Sequence, residues 1–129
     1  MIVMDTSAAV AILRGEAESE AFRAVIDQAD GIGMSAASVM ELAIVTAASG
    51  PELVDAFLEA MRIRILAVDE EHLRWARVAR SRFGRGSDSP ARLNFGDCLA
   101  YGAAMATGHA LLYKGEDFPH TDVRSAMPV

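Results

Sequence analysis

Residues 2–7 read Ile2-Val3-Met4-Asp5-Thr6-Ser7, three apolar side chains followed by three polar ones. A short apolar run bounded by polar residues predicts a buried strand. An acidic or hydroxyl residue just before an apolar segment predicts the N-cap of a helix, here over residues 8–13. The first predicted unit is therefore a strand that leads directly into a helix.

The same order of strand and helix recurs along the chain. Further short apolar runs predict strands near residues 31–35, 63–68 and 109–113, with a last short strand near 122–125. Amphipathic spacing and capping residues predict helices near residues 17–29, 36–48, 52–61, 69–83 and 94–107. Short apolar strands alternating with helices are typical of a parallel sheet that is covered on both faces. We therefore expect a three-layer α/β/α fold with a central parallel sheet of four to five strands.

Length and composition indicate one globular domain over residues 1–129. The chain is 52% hydrophobic and 23% charged, and a chain of this size buries about two thirds of its surface on folding. Its one cysteine, Cys98, excludes a disulfide within the chain and a zinc site built from several cysteines. Because no basic segment precedes a signal-like apolar run and no apolar run approaches ~20 residues, we expect no membrane span and a cytoplasmic location.

The charge balance limits how the chain could act on nucleic acid. Eighteen acids and 12 bases give a net charge of −6. Proteins that bind nucleic acid by charge alone are usually basic, so chemistry on a phosphate would need another positive charge, such as a bound metal ion. The glycine-rich dinucleotide and phosphate-loop motifs and the His-Glu-x-x-His zinc motif are all absent.

Four carboxylates occupy positions that a parallel sheet would bring together. Three lie at or just beyond the ends of the first, second and fourth predicted strands, and one opens the helix before the fourth strand: Asp5, Glu41, Asp117 and Asp97, respectively. The carboxyl ends of parallel strands can meet at one crevice. Neighbouring carboxylates repel one another, and a hard divalent cation relieves that repulsion. The pattern predicts a Mg²⁺ site, with Mn²⁺ as the alternative ion, that activates water for phosphoryl displacement.

Each acid also has a purely structural interpretation. Asp5 and Asp97 stand where helices are capped, Glu41 completes a Ser-x-x-Glu capping box, and Asp117 fits a solvated turn. Glu41, however, has no basic neighbour one helical turn away. A partly buried carboxylate without a counter-charge is costly unless it takes up a proton or binds a cation. Taken together, the four acids favour the functional interpretation.

The acids lie in four blocks that together resemble the PIN-domain nucleases, specifically the VapC-type toxins of bacterial toxin–antitoxin pairs. The blocks are VMDTSA at 3–8, SAASVMEL at 35–42, LNFGDC at 93–98 and LLYKGEDFPHTD at 111–122. Each block is weak alone. All four in this order, spread over nearly the whole chain, are specific.

The resemblance implies a PIN-like fold and assigns the site residue by residue. The four acids would hold Mg²⁺ or Mn²⁺ and carry catalysis, with Asp5 and Asp97 as direct ligands and Glu41 and Asp117 completing the site. Supporting polar contacts would come from Ser7 and Asn94, and Glu116 could share the role of Asp117. Asp122 also matches, without a clear role.

The resemblance likewise implies a function and its partners. The chain would be the toxin of a type II toxin–antitoxin pair and a metal-dependent endoribonuclease. A metal-activated water would cleave RNA and leave a 5′-phosphate and a 3′-hydroxyl. The expected partners are an RNA substrate, a cognate VapB-type antitoxin and a second copy of the chain in a homodimer.

A second interpretation from another class is a receiver-like phosphoacceptor signalling domain. Asp69, after the third predicted strand, would be the phosphoacceptor, and Lys114 would be the lysine that follows a late strand. A receiver also needs a pair of acids after its first strand, whereas Asp5 is followed by Thr6. We expect Asp97→Asn to inactivate a nuclease and Asp69→Asn to inactivate a receiver.

The most basic segment of the chain, residues 74–92, has two interpretations. Its six arginines could form a track for the phosphates of RNA, or a solvated helix face balanced by the acids at residues 69–71. Trp75 lies among them and could stack on a base, but we expect it to anchor its helix to the core.

Overall fold

The computed structural model describes residues 1–128 and has four strands and six α-helices in the predicted order. The strands are β1 (Ile2–Met4), β2 (Ile32–Ser35), β3 (Ile63–Leu66) and β4 (Ala110–Leu112). The helices are α1 (Thr6–Leu13), α2 (Ser19–Gln28), α3 (Ala36–Val45), α4 (Glu52–Ala60), α5 (Glu70–Phe83) and α6 (Phe95–Thr107). Two short 3₁₀ helices span Ala47–Ser49 and Phe118–His120.

All four strands are parallel and lie in the order β3-β2-β1-β4. Ile2 of β1 pairs with Ile32 on one side and with Ala110 of β4 on the other. From β1 the chain adds β2 and β3 in one direction, and then returns to place β4 on the opposite side. A crevice forms beyond the carboxyl ends of the strands where the order reverses, here at β1 and β4.

Side chains of the sheet alternate between two buried clusters, as the period of a strand requires. Val3 and Leu111 pack with α5 and α6, whereas Met4 and Leu112 pack with α1, α2, α3 and α4. The sheet is therefore covered by helices on both faces, and the predicted α/β/α architecture is confirmed. Trp75 is half-buried against the α5–α6 cluster, in agreement with its predicted anchoring role.

Several predicted elements are shorter than expected, and for two of them the structure shows the cause. The strand near 122–125 is reduced to one bridge between Leu111 and Ser125, because the following residues leave the sheet and pack on its other face. Helix α3 ends at Val45 because the chain tightens into a 3₁₀ turn and then reverses at Gly50, whose φ is +87°.

None of the helices in the described part of the chain has the length and apolar character that a membrane crossing requires.

Candidate active site

Asp5 is the residue at which β1 ends and α1 begins. Its backbone N–H donates to Leu112 O of β4 (2.9 Å), and its side chain caps α1. Oδ2 accepts hydrogen bonds from Ser7 N (3.0 Å) and Ser7 Oγ (2.6 Å). The residue is only 3% exposed, and Oδ1 is buried without a hydrogen-bond partner among residues 1–128. One oxygen of Asp5 is thus fixed by the fold, and the other is left without a partner.

The electrostatics of Asp5 follow from this burial. The pKa of Asp5 is raised to about 6: loss of solvation raises it most, the two hydrogen bonds from Ser7 lower it, and the charges of Asp97 and Glu41 raise it. A buried carboxylate oxygen with no donor and two acidic neighbours is stabilised by a proton or by a cation. The donor set therefore fits a hard divalent ion, which prefers oxygen ligands.

Glu41 lies in the second turn of α3, at the same crevice. Ser35 caps this helix by accepting from Ala37 N (3.2 Å), so the capping box that would have used Glu41 is not formed. The half-buried carboxylate of Glu41 instead lies against Gly96, where a Cβ atom would stand 2.5 Å from Glu41 Oε2. No salt bridge to Glu41 exists among the described residues.

Asp97 lies in the first turn of α6 and forms a capping box with Asn94. Asn94 Oδ1 accepts from Asp97 N (2.8 Å), and Asp97 Oδ2 accepts from Asn94 N (3.1 Å). Burial raises the pKa of Asp97, the hydrogen bond from Asn94 lowers it, and the charges of Asp117 and Glu41 raise it. The capping interpretation is therefore correct for Asp97, and the same residue also faces the acidic crevice.

Asp5, Glu41 and Asp97 line one open cavity of about 430 Å³, the acidic cavity. Its wall also includes Ser7, Glu16 and Lys114. Between residues 1 and 128, no three His, Cys, Asp or Glu side chains stand close enough to hold a metal ion together as they are placed. The acids thus share a cavity without closing a cage. Mg²⁺ commonly occupies such sites, because it keeps several waters and is held by one or two carboxylates.

Lys114 connects the end of β4 to this cavity. Its backbone N–H donates to Ser7 Oγ (2.9 Å), and its Nζ pairs with Glu16 (3.0 Å) and Glu18 (3.3 Å). The hydrogen bond to Glu16 raises the pKa of Lys114. Glu16 was not identified from the sequence, because it lies just after the end of α1 and belongs to no periodic pattern.

Asp117 lies beside the acidic cavity, but it lines a second, neighbouring cavity. That second cavity has a volume of about 560 Å³ and is bordered by Arg85 and Arg92. Asp117 is exposed and caps nothing with its side chain, although its charge raises the pKa of Asp97. Glu116 is exposed and lines neither cavity. The structure thus brings three of the four predicted acids to one cavity and leaves Asp117 at its edge.

Asp69 does not favour the receiver interpretation. It follows β3, which lies at the sheet edge and is separated from β1 by β2. Its Oδ1 accepts from His72 N (2.9 Å) and caps α5. Asp69 thus follows a strand that is not a neighbour of β1.

Asp122 has a structural role that the sequence did not reveal. The buried Tyr101 donates its hydroxyl to Asp122 Oδ1 (2.7 Å), and Arg82 pairs with Oδ2 (3.3 Å). Burial and the bond to Asp122 raise the pKa of Tyr101. These contacts fasten the segment after β4 to α5 and α6.

Comparison with known proteins identifies the family of this chain. The PIN domain family model matches residues 2–124. The VapC ribonuclease Mb2780c of Mycobacterium bovis is 42% identical over 129 residues, which cover 97% of this chain and 98% of that protein. Ribonuclease VapC28 of Mycobacterium tuberculosis is 41% identical over 130 residues, with 98% of each chain covered.

Two solved structures share the fold. The crystal structure of Mycobacterium tuberculosis VapC20, described as a sarcin-ricin loop cleaving toxin, superposes with a TM-score of 0.73 at 17% identity, covering 99% of this chain and 100% of that one. A toxin–antitoxin complex from Klebsiella pneumoniae gives a TM-score of 0.70 at 14% identity, covering 92% and 90%. The family match and the full-length relatives lead to one conclusion. The chain is a member of the PIN domain family and, within it, of the VapC ribonucleases.

Proposed function

We propose that this VapC ribonuclease is the toxin of a toxin–antitoxin pair and cleaves RNA at the cavity lined by Asp5, Glu41 and Asp97. The observation that carries the proposal is the buried Oδ1 of Asp5, which has no hydrogen-bond partner within residues 1–128 and faces two further acids. Folding leaves this oxygen in an unfavourable environment unless a cation or a proton neutralises it.

Four carboxylates would hold the ion. Asp5 and Asp97 would bind it directly, and Glu41 and Asp117 would complete the site directly or through water. When bound, Mg²⁺ or Mn²⁺ lowers the pKa of a coordinated water and neutralises charge that develops on the phosphate. The expected products are a 5′-phosphate and a 3′-hydroxyl.

Neighbouring residues hold these acids in place. Ser7 fixes Oδ2 of Asp5, and Asn94 fixes Oδ2 of Asp97, so each carboxylate keeps one orientation. The absence of a side chain at Gly96 leaves room for the carboxylate of Glu41. No histidine lines this cavity in the described part of the chain, so the acids would act without a histidine base.

The expected partners are a VapB-type antitoxin and a second copy of the chain, acting in the cytoplasm. An apolar groove of about 580 Å³ lies between α2 and the residues near 126–128, and it is suited to an apolar segment of an antitoxin. On another surface, Met40, Ile44 and Ile65 expose large apolar side chains, which supports self-association.

The test is cleavage of structured cellular RNA by purified protein freed of antitoxin, with Mg²⁺, Mn²⁺ or EDTA, followed by mapping of fragment ends. We expect metal-dependent cuts that leave 5′-phosphates, and a loss of at least about 100-fold in Asp97→Asn. The matched control is Asp69→Asn, because Asp69 also caps a helix but lies away from the cavity. Equal cleavage by Asp97→Asn, or cleavage that persists in EDTA, would contradict the proposal.

A further inference from the structure

A third cavity, of about 510 Å³, lies between α5 and the first turn of α6. Its floor is apolar and includes Leu93, Cys98 and Leu99, and Asn94 lies on its wall. Asn94 is also the residue that caps α6 and holds Asp97. This cavity is therefore next to the acidic cavity. Asn94 lines the first and holds Asp97, which lines the second.

Three arginines border this cavity. Arg77 and Arg80 project from α5 three residues apart, and Arg85 follows from the loop after the helix. Among the described residues none of the three forms a salt bridge; the bridges present involve Arg82 and Lys114. The charge of Arg85 lowers the pKa of Asp97, so Arg85 is partly balanced, whereas Arg77 and Arg80 form a local site for anions in a chain with a net charge of −6.

Phe95 stands at the mouth of the cavity and is 84% exposed. It is the first residue of α6, two positions before Asp97, and most of its ring lies in solvent. Covering a large aromatic ring that is exposed to water lowers the free energy. An aromatic face next to arginines is the combination on which unpaired nucleobases stack, with the phosphates held by the guanidinium groups.

We infer that this cavity binds one unstacked base of the RNA strand beside the phosphate that is cleaved, with Phe95 as the stacking surface and Arg77 and Arg80 as contacts to the backbone. The inference rests on the proposed function and adds to it a contact for one base of the substrate. Arg85 lines both this cavity and the one that contains Asp117, so a single strand can continue from one to the other. RNA whose bases are all paired and stacked cannot fill the cavity, whereas a loop or a bulge can.

The first test measures kcat and KM for Phe95→Ala, Phe95→Trp and the wild type on an RNA hairpin cut in its loop. Losing one stacking contact should raise KM by about 5- to 100-fold, with a smaller effect on kcat, and Trp should restore it. Sedimentation of each variant shows whether the oligomeric state has changed. Unchanged KM in Phe95→Ala would overturn the inference, as would a change in oligomeric state with unchanged affinity for RNA. That second result would show that Phe95 belongs to an interface between copies of the chain.

The second test measures RNA binding in the Asp97→Asn background, where RNA stays intact. Arg80→Gln should weaken binding of the hairpin and reduce the slope of log affinity against log salt by roughly 0.7. The matched control is Arg23→Gln, because Arg23 is exposed on the remote α2 and should leave binding unchanged. Equal affinity for the hairpin and for a fully paired duplex would overturn the inference. If Asp97→Asn itself cleaves like the wild type, the proposed function fails. If only the Phe95 and Arg80 variants behave like the wild type, the base-binding cavity alone fails.

Discussion

The carboxylate of Glu41 lies against the Cα atom of Gly96, so closely that a Cβ atom on residue 96 would stand 2.5 Å from Oε2. Glu41 belongs to α3 and Gly96 to α6, which places Glu41 beside Asp97. The glycine is needed for space rather than for backbone freedom, because its φ lies outside the left-handed region. This contact explains how a half-buried glutamate, which pairs with no base in the described part of the chain, reaches the acidic cavity.

Gly96→Ala should reduce RNA cleavage without destabilising the protein. The new methyl group can be accommodated if the flexible Glu41 side chain moves, so the carboxylate would leave its place while the backbone stays. Alanine is also the better helix former, by up to about 1 kcal/mol. We expect cleavage to fall by about 10- to 100-fold and the melting temperature to stay equal or rise, as measured by fragment analysis and thermal unfolding.

Gly102→Ala is the control for Gly96→Ala, because the added methyl group would meet backbone instead of a flexible side chain. A Cβ atom there would stand 2.5 Å from the backbone oxygen of His72, which cannot move without displacing α5. This variant should therefore lose thermal stability. If Gly96→Ala cleaves RNA as fast as the wild type, Glu41 does not act from its position against Gly96.

Burial of Asp5 predicts a pH-dependent stability in EDTA. Its pKa is about 6 in the folded protein against an ordinary value of 3.8, so the folded state binds more protons between these values. The contribution of Asp5 to stability is therefore greatest below pH 4, falls as the pH rises to 6, and is constant above. The total loss is about 3 kcal/mol. Asp5→Asn removes this loss and keeps a good N-cap, so it should be more stable than the wild type at pH 8 but not at pH 4.

Urea unfolding of both proteins from pH 4 to 8 measures this difference, and acids common to both cancel in the comparison. A constant difference across the range would contradict the prediction. At pH 8, Mg²⁺ should raise the melting temperature of the wild type, because an ion that binds only the folded state stabilises it, and should leave Asp5→Asn unchanged.

Ser7→Ala should lower the stability of the fold and move the acid limb of the pH–activity profile to higher pH. Ser7 Oγ donates to Asp5 Oδ2 and accepts from Lys114 N, so its loss leaves two groups without this partner. We expect the free energy of unfolding to fall by about 1–2 kcal/mol. Because the bond from Ser7 lowers the pKa of Asp5, activity should also begin at a higher pH. Ser7→Thr keeps the hydroxyl and should restore the profile; a profile in Ser7→Ala like that of the wild type would speak against this role.

Tyr101→Phe should destabilise the protein more than removal of the neighbouring ion pair. The buried hydroxyl of Tyr101 bonds to Asp122, and a hydrogen bond to a charged group contributes about 1.5–3 kcal/mol. Arg82 pairs with the same carboxylate at the surface, where such pairs contribute at most about 1 kcal/mol. Thermal unfolding of Tyr101→Phe and Arg82→Met compares the two. If the melting temperature falls equally or further in Arg82→Met, the ion pair and not the hydrogen bond anchors Asp122.

Much of the fold could be predicted because strands, helices and caps are recorded locally in the sequence. Asp5 and Asp97 show where this local information stops. Each was open to two interpretations, a helix cap or a site residue, and the structure shows that both cap helices and both line the acidic cavity. A helix cap depends on residues at most three positions apart. The approach of Asp5 and Asp97 to one cavity depends instead on the pairing of β4 with β1. No local pattern specifies that pairing.

The remaining features depend on contacts between distant segments. Glu41 meets Gly96, and Tyr101 meets Asp122, at separations that match no helical or strand period. Asp117 borders a cavity with Arg85 and Arg92, whose positions follow from an irregular loop after α5. These placements result from packing, and the sequence pattern alone does not contain them.

The pairing of β1 with β4 also bears on how the protein is made. The hydrogen bond from Lys114 to Ser7 joins residues 107 positions apart, and the acidic cavity includes groups from both ends of that span. Contacts between residues so distant in sequence form late, because the long intervening chain must first be ordered. During translation Asp5 is made long before β4. A nascent chain that stops short of β4 lacks the strand that pairs beside Asp5, so the acidic cavity forms only in chains that include both.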